Sequence, residues 1–322
     1  MTLSTLQMAN RVKSRLNSFN PRLAVVAFER AACLKKNANR ISNSSPPYWM
    51  SEQIESDLAI FNQQDLQKRA LDQFFETYDR VKNPWDLVRY KVKDNRLYQE
   101  AFGHYSRCVI PRLPILASAL NRLCRHFRVP DVDFVISQAD ALDKEEHEIP
   151  IFVFAKNSSL SPKNILIPDF EALGLFHLDH YGEIRWEDGV EKAVFRGAMT
   201  GGYFNVDNFE KFPRSVAVRV SLDNPELIDA RYTTLSQTSQ PKEIATRYKE
   251  YFGKSLSVGQ QLKYKYQLLI DGNTCAYSRA LWQLFSGCVI LKQNSENIQW
   301  YYRGIKPNIH YLPVSSELSD LR

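Results

Sequence analysis

The stretch from Lys263 to Pro313 restricts this chain to an α/β architecture more tightly than any other. Residues 266–270 form a short apolar run, the length of a buried strand. Asp271-Gly272-Asn273 is turn chemistry, because Gly and Asn tolerate positive φ. Residues 274–286 carry helical spacing, with Ala276, Ala280 and Leu284 on one line and Leu281 and Phe285 on the next. Gly287 sits where a helix stops, and residues 288–291 read as the next buried strand. Strand, tight turn, helix and strand make a parallel βαβ unit, whose helix N-terminus is a natural anion site. Arg279, in the first turns of that helix, adds a planar cation suited to phosphate.

A second element points the same way. Residues 194–202 (VFRGAMTGG) are a strand end running into a Gly-rich loop, with Arg196 leading. Such loops turn several backbone N–H groups toward one anion. Two arginine-plus-loop elements in one half of a chain suit a diphosphate better than a single small anion. A helix is expected over 113–127, then a strand at 132–136 and an acidic loop at 137–148. Short strands follow at 149–154 and 165–168. Near residues 183–192 the pattern restarts: strand 193–195, Gly-rich loop, helix 214–222, strand 227–232, a helix reaching 251, then the βαβ unit. Before these, helical patterns cover 1–40, 49–61 and 64–81, broken by the Ser/Pro stretch at 41–48. The expected organisation is therefore two α/β halves, 1–186 and 187–322. Asp140, Arg196 and Asp271-Gly272-Asn273 each follow a strand, where α/β ligands bind.

Composition narrows the partners. A net charge of +6 favours anionic ligands modestly but lacks the dense Lys/Arg stripe of a nucleic-acid binder. Cys33, Cys108, Cys124, Cys275 and Cys288 are widely spaced, without metal-type CxxC pairs, and read as reduced buried thiols. No membrane-spanning run and no secretory apolar segment are visible, so a cytoplasmic location is expected, with peripheral membrane contact of the basic N-terminal helix as a lesser option. Asp131-Val132-Asp133 has the DxD form of a Mn²⁺ site, but it precedes a strand instead of following one. His177, Asp179 and His180 have ligand-like side chains without a supporting third cluster. Trp300-Tyr301-Tyr302 suits either base stacking or core packing.

Six collinear pieces carry a resemblance. They are residues 95–100 (NRLYQE), Phe195-Arg196-Gly197 with Thr200, residues 224–230 (NPELIDA), residues 263–266 (KYKY), Ser278-Arg279, and Lys306-Pro307 with residues 310–314 (HYLPV). Together they make the chain similar to glycosyltransferase family 90. That group holds protein O-glucosyltransferases, capsule-associated xylosyltransferases and bacterial lipopolysaccharide-modifying proteins. Residues 49–54 (WMSEQI) look like the bacterial branch. The resemblance implies a GT-B fold, with two Rossmann-like domains facing across a cleft and the nucleotide sugar on the C-terminal one. It implies inverting transfer from a UDP-sugar without a metal, to a glycan such as a lipopolysaccharide core or other surface polysaccharide. The family's diphosphate arginines fall on Arg196 and Arg279. Gly197, Thr200, Asp271, Gly272, Asn273 and Ser278 complete the implied donor site. The implied catalytic base is Asp140, with Asp143 as second candidate, because Ala139 and Ala141 replace the family's flanking Arg and aromatic-Pro. Relatives continue with further helices after the last motif, so a shortened C-terminal half is expected. The alternative function is a catalytically inactive nucleotide-sugar-binding or scaffolding homologue; RNA binding rests only on the basic pI and scattered aromatics.

Overall fold

A computed structural model describes residues 46–59, 61, 70–77, 86–101, 112–140, 149–161, 163–169 and 186–321. The expected helix over 1–40, Asp143 and the His177, Asp179 and His180 group lie outside these residues.

Strand alternation organises the first half. Strands β1 (Leu87–Lys93) and β3 (Val132–Ser137) send Val88, Tyr90 and Ile136 into one layer and Leu87 and Val135 into the other. Successive side chains on a strand point to opposite faces. Helix α3 (Arg112–His126) covers the first layer with Ile115 and Leu116. Helix α2 (Ala70–Thr77) covers the second with Leu71, Phe74 and Phe75. With β2 (Arg96–Ala101), β4 (Ile151–Val153) and β6 (Asn164–Leu166), the sheet order is β2-β1-β3-β4-β6. Strands β3, β4 and β6 run parallel, whereas β1 is antiparallel to both neighbours. This edge differs from a Rossmann-like sheet, and the sequence-based expectation lacks it. Its signal is present: alternation over 87–92 followed by Asp94-Asn95, whose φ values of 49° and 58° give the doubly left-handed turn of a tight hairpin.

The second half is a parallel sheet. It comprises β7 (Val190–Ala198), β8 (Ile228–Thr234), β9 (Tyr264–Leu269), β10 (Val289–Gln293) and β12 (Leu312–Val314), in the order β12-β10-β9-β7-β8. Helix α4 (Pro213–Asp223) connects β7 to β8, and helix α7 (Tyr277–Leu284) connects β9 to β10. The two crossovers leave the central β9–β7 pair in opposite directions, so right-handed connection puts their helices on opposite faces. The core divides accordingly. Leu268 and Ile270 join the cluster containing Val218, Phe204 and Tyr232, while Leu269 joins Ala280 and Ile290. Helices α5 (Pro241–Arg247) and α6 (Val258–Gln261) link β8 to β9, and a reciprocal Ser257–Gln260 capping box starts α6.

A strand pair and a helix help tie the halves together. Strand β5 (Lys156–Asn157) pairs with β11 (Asn297–Ile298) across them. Helix α1 (Tyr48–Leu58) grips both. Its Trp49 ring lies 5.7 Å from that of Trp300, while its buried Asp57 takes a 2.7 Å ion pair from Lys156 and a 2.9 Å hydrogen bond from the Leu166 N–H. Asp57→Ala leaves a buried ammonium uncompensated, which typically costs about 3–5 kcal/mol. Denaturant unfolding is expected to show a loss of that size; a loss below about 1 kcal/mol would remove Asp57 from the account of the strap.

Candidate active site

In an open parallel sheet, a crevice forms where the strand order reverses, outside the carboxyl ends. Here the reversal falls between β7 and β9. The loop after β7 carries Met199, Thr200, Gly201 and Gly202; the loop after β9 carries Ile270 to Ala276. Arg214, from the first turn of α4, locks them together. Its Nε donates to the Asp271 carbonyl (2.9 Å), Nη1 to the Ala198 carbonyl (2.9 Å) and Thr200 Oγ1 (2.6 Å), and Nη2 to the Ile270 carbonyl (3.2 Å). Gly272 is required there: a Cβ would stand 2.8 Å from both Arg214 Nη2 and Thr200 Oγ1. Gly201 stands at φ 109°, where a Cβ would come within 3.1 Å of the Gly272 carbonyl oxygen, and its N–H is shared by the side-chain oxygens of Asn273 and Gln237, each at 3.2 Å.

The arginines divide by what their donors touch. A guanidinium has five N–H groups. Those of Arg196 make five hydrogen bonds: Nε to the Lys254 carbonyl, Nη1 to the Phe195 and Asp229 carbonyls, and Nη2 to both Asp229 carboxylate oxygens at 2.8 Å. Arg196 therefore stands within β7 turned toward Asp229 on β8. Arg279 touches Arg196 only at its backbone carbonyl. Its other hydrogen bond goes to Gln261 Oε1 at 3.1 Å, leaving three N–H groups unspent among the described residues. The guanidinium stacks 5.2 Å from the Phe195 ring and 5.8 Å from Trp282, with no carboxylate among these partners. Burial, with the charge of Arg214 adding to it, pushes its pKa down to about 10. Arg214 shares the Phe195 ring at 5.5 Å and is the cation that stands beside Arg279.

Asp140 meets this assembly from the first half. It follows β3, and Arg112 of α3 holds its Oδ1 at 2.7 Å while donating to the Gln138 carbonyl at 2.7 Å. The sequence lacks an arginine before Asp140, and α3 brings one from 28 residues away. The side chain keeps 42% of its surface exposed, so a reactant can reach the second oxygen. The Asp140 carbonyl accepts hydrogen bonds from Thr274 Oγ1 (3.0 Å) and from the Tyr277 hydroxyl. Tyr277 opens α7 at φ 37°, a left-handed value that is strained for a bulky residue and costs of order 1–3 kcal/mol. The structure thus places Asp140 directly on the loop that leads to Arg279.

The other expected residues fall around this centre. Thr200 and Gly272 abut Arg214, Asn273 bridges Gly201 and Gln237, and Gly197 lies against the Phe195 ring. Ser278 sits between Tyr277 and Arg279 in α7. The Asp271 carboxylate turns inward to Asn297 at 3.2 Å; burial raises its pKa, opposed by Ser295 and Lys292. Asp133 is ion-paired to Arg89 and Asp131 accepts the Asp94 N–H at 2.9 Å, so the DxD sequence is engaged in structure. Among the described residues no group of three or more His, Cys, Asp or Glu stands at metal-binding spacing. Trp300 and Tyr301 pack edge to face in the core, resolving that motif as packing. Cys124, Cys275 and Cys288 are free thiols. Arg112, Arg214, Thr274 and Tyr277 escape sequence reasoning; only Arg214, just inside a Pro-started helix after the Gly-rich loop, leaves a local signal.

A parallel sheet with two loops, and with a guanidinium that lacks a carboxylate partner, at its reversal point defines an α/β protein of open-sheet type. The chain matches the family model for glycosyl transferase family 90 over residues 42–322 and belongs to that family. It is 27% identical to protein O-glucosyltransferase 2 of Danio rerio, over 84% of this chain and 52% of that protein. It is 28% identical to protein O-glucosyltransferase 3 of Homo sapiens, with the same coverages of 84% and 52%. Protein O-glucosyltransferase 1 of Bos taurus is 25% identical over 73% of this chain and 60% of its own length. The chain spans about half the length of the first curated relatives it matches.

Proposed function

We propose that this chain transfers a sugar from a UDP-sugar to an acceptor hydroxyl with inversion, using two lobes of GT-B type over residues 1–186 and 187–322. Arg279 carries this reading. A partly buried guanidinium with neutral acceptors, and with three donors to spare among the described residues, is short of an anion. A diphosphate supplies that charge and fits a planar, multidentate donor. Thr200, Gly272 and Asn273 shape the two loops beside it, with Arg214 fixing their spacing. Arg196, committed to Asp229, holds the strand that carries Phe195.

The reaction is one in-line displacement. The acceptor oxygen bonds to the anomeric carbon, the bond from that carbon to the β-phosphate oxygen breaks, and Asp140 takes the hydroxyl proton. Charge gathers on the leaving UDP, where Arg279 stabilises it without a metal. A glycan such as a lipopolysaccharide core or another surface polysaccharide remains our proposed acceptor, with the protein cytoplasmic and at most peripheral to the inner membrane. The relatives' names point to glucose as the sugar and to protein as another acceptor class.

The ion pair from Arg112 to Asp140 supports a second reading, a nucleotide-sugar-binding homologue whose base is held in structure. A thermal-shift titration in EDTA with UDP, UDP-glucose, UDP-galactose and UDP-xylose tests donor binding. Ligand at about 100 Kd contributes about 2.7 kcal/mol, so a rise of several degrees is expected. No rise with any of them removes both readings. A rise without hydrolysis or transfer of the bound sugar selects the second.

A further inference from the structure

We propose that Tyr277 is a positioning residue that sets the base Asp140 in register with the donor diphosphate. This rests on the transferase reading above. Tyr277 stands two residues before Arg279, in the same first turn of α7. Its ring leaves the second half and packs against the first-half cluster of Val88, Tyr90, Ile115 and Ile136. Its hydroxyl donates to the Asp140 carbonyl and lies 3.1 Å from Thr274 Oγ1, which itself reaches that carbonyl at 3.0 Å. Two hydroxyl protons serve three oxygen–oxygen contacts, and a carbonyl oxygen has two lone pairs. The arrangement that sends both protons to Asp140 is the one that grips its backbone hardest. Burial keeps the Tyr277 phenol protonated, so it stays a donor.

Asp140 therefore has two holds of different origin. Arg112, from its own half, takes the carboxylate; Thr274 and Tyr277, from the donor half, take the backbone. A tyrosine kept at φ 37° persists only where the surroundings over-determine it, and such residues gather at sites where position matters. When an anion draws on Arg279, the turn that answers is the turn that grips the base. Donor binding and base placement are thereby one mechanical event.

Tyr277→Phe deletes the hydroxyl and keeps the ring in its core. The expected result is UDP affinity and donor KM within about twofold of wild type and kcat reduced roughly 10- to 100-fold, the range for a misplaced catalytic group. Hydrogen exchange supplies a readout that packing alone would leave unchanged. UDP should increase protection of the peptide covering residues 132–140 in wild type and fail to do so in Tyr277→Phe. Thr274→Val should move both readouts in the same direction, and it replaces Tyr277→Phe if that variant does not fold. Unchanged kcat, or equal UDP-induced protection in wild type and variant, overturns the proposal while leaving donor binding intact. A wild-type protein that binds no UDP overturns the transferase reading and this inference with it.

Discussion

Arg279→Met is expected to weaken UDP binding at least about 30-fold and, in the same protein, to raise the melting temperature of the unliganded form. Both follow from one imbalance. The guanidinium has lost much of its water, and its partners are a carbonyl, an amide oxygen and two rings. Burial, aided by repulsion from Arg214, moves its pKa down to about 10, so the folded apoprotein carries a disfavoured cation at neutral pH. Methionine matches much of the length and removes the charge, relieving about 1–3 kcal/mol, or a few degrees in Tm. The loss of a charged donor to a buried phosphate costs 2–5 kcal/mol of binding, at least about 30-fold in affinity. The pH dependence has a definite sign. This folded pKa lies below the ordinary arginine value that the unfolded chain keeps, so the stability penalty is full at neutral pH and fades as pH rises through about 10. UDP affinity runs the other way, falling above that pH as the cation is lost. Calorimetric titration at neutral pH and near pH 10.5, with melting curves of both proteins, checks all three; wild-type affinity in the variant would defeat the donor assignment.

Asp140→Asn is expected to leave UDP affinity within about twofold of wild type and to lower transfer by 10²–10⁴, the usual contribution of a positioned base. Asparagine keeps the shape, still accepts from Arg112, and leaves the backbone carbonyl available to Thr274 and Tyr277. What it loses is the capacity to accept a proton from the attacking hydroxyl. Single-turnover transfer with saturating donor separates chemistry from binding. Retained transfer would move the base elsewhere, with Asp143 next in line.

The parallel half was legible because its signals are local. The run at 266–270, the Asp271-Gly272-Asn273 turn and Gly287 specify strand, loop and helix end without help from distant residues. The hairpin of β1 and β2 is equally local, but its apolar positions are interleaved with Arg89, Lys91 and Lys93 just after Pro84, so it reads weakly as strand. Arg196 illustrates a deeper limit. An arginine leading a Gly-rich loop looks like an anion ligand, but its role depends on whether a carboxylate from another strand reaches it first, and Asp229 does. Arg112, Arg214 and Tyr277 act through contacts spanning 28, 57 and 137 residues, which no periodicity encodes. Which arginine meets a carboxylate, Arg196 at Asp229, and which does not, Arg279, is visible only in three dimensions.

A crystal structure of the UDP complex, grown in EDTA, bears most directly on the central claim. The account predicts the β-phosphate about 3 Å from Arg279 N–H groups, between the loops at 199–202 and 270–276, with Asp140 facing the open side. A diphosphate seated instead on Arg196, or in the surface hollow beside Arg219 and Arg247, would contradict it.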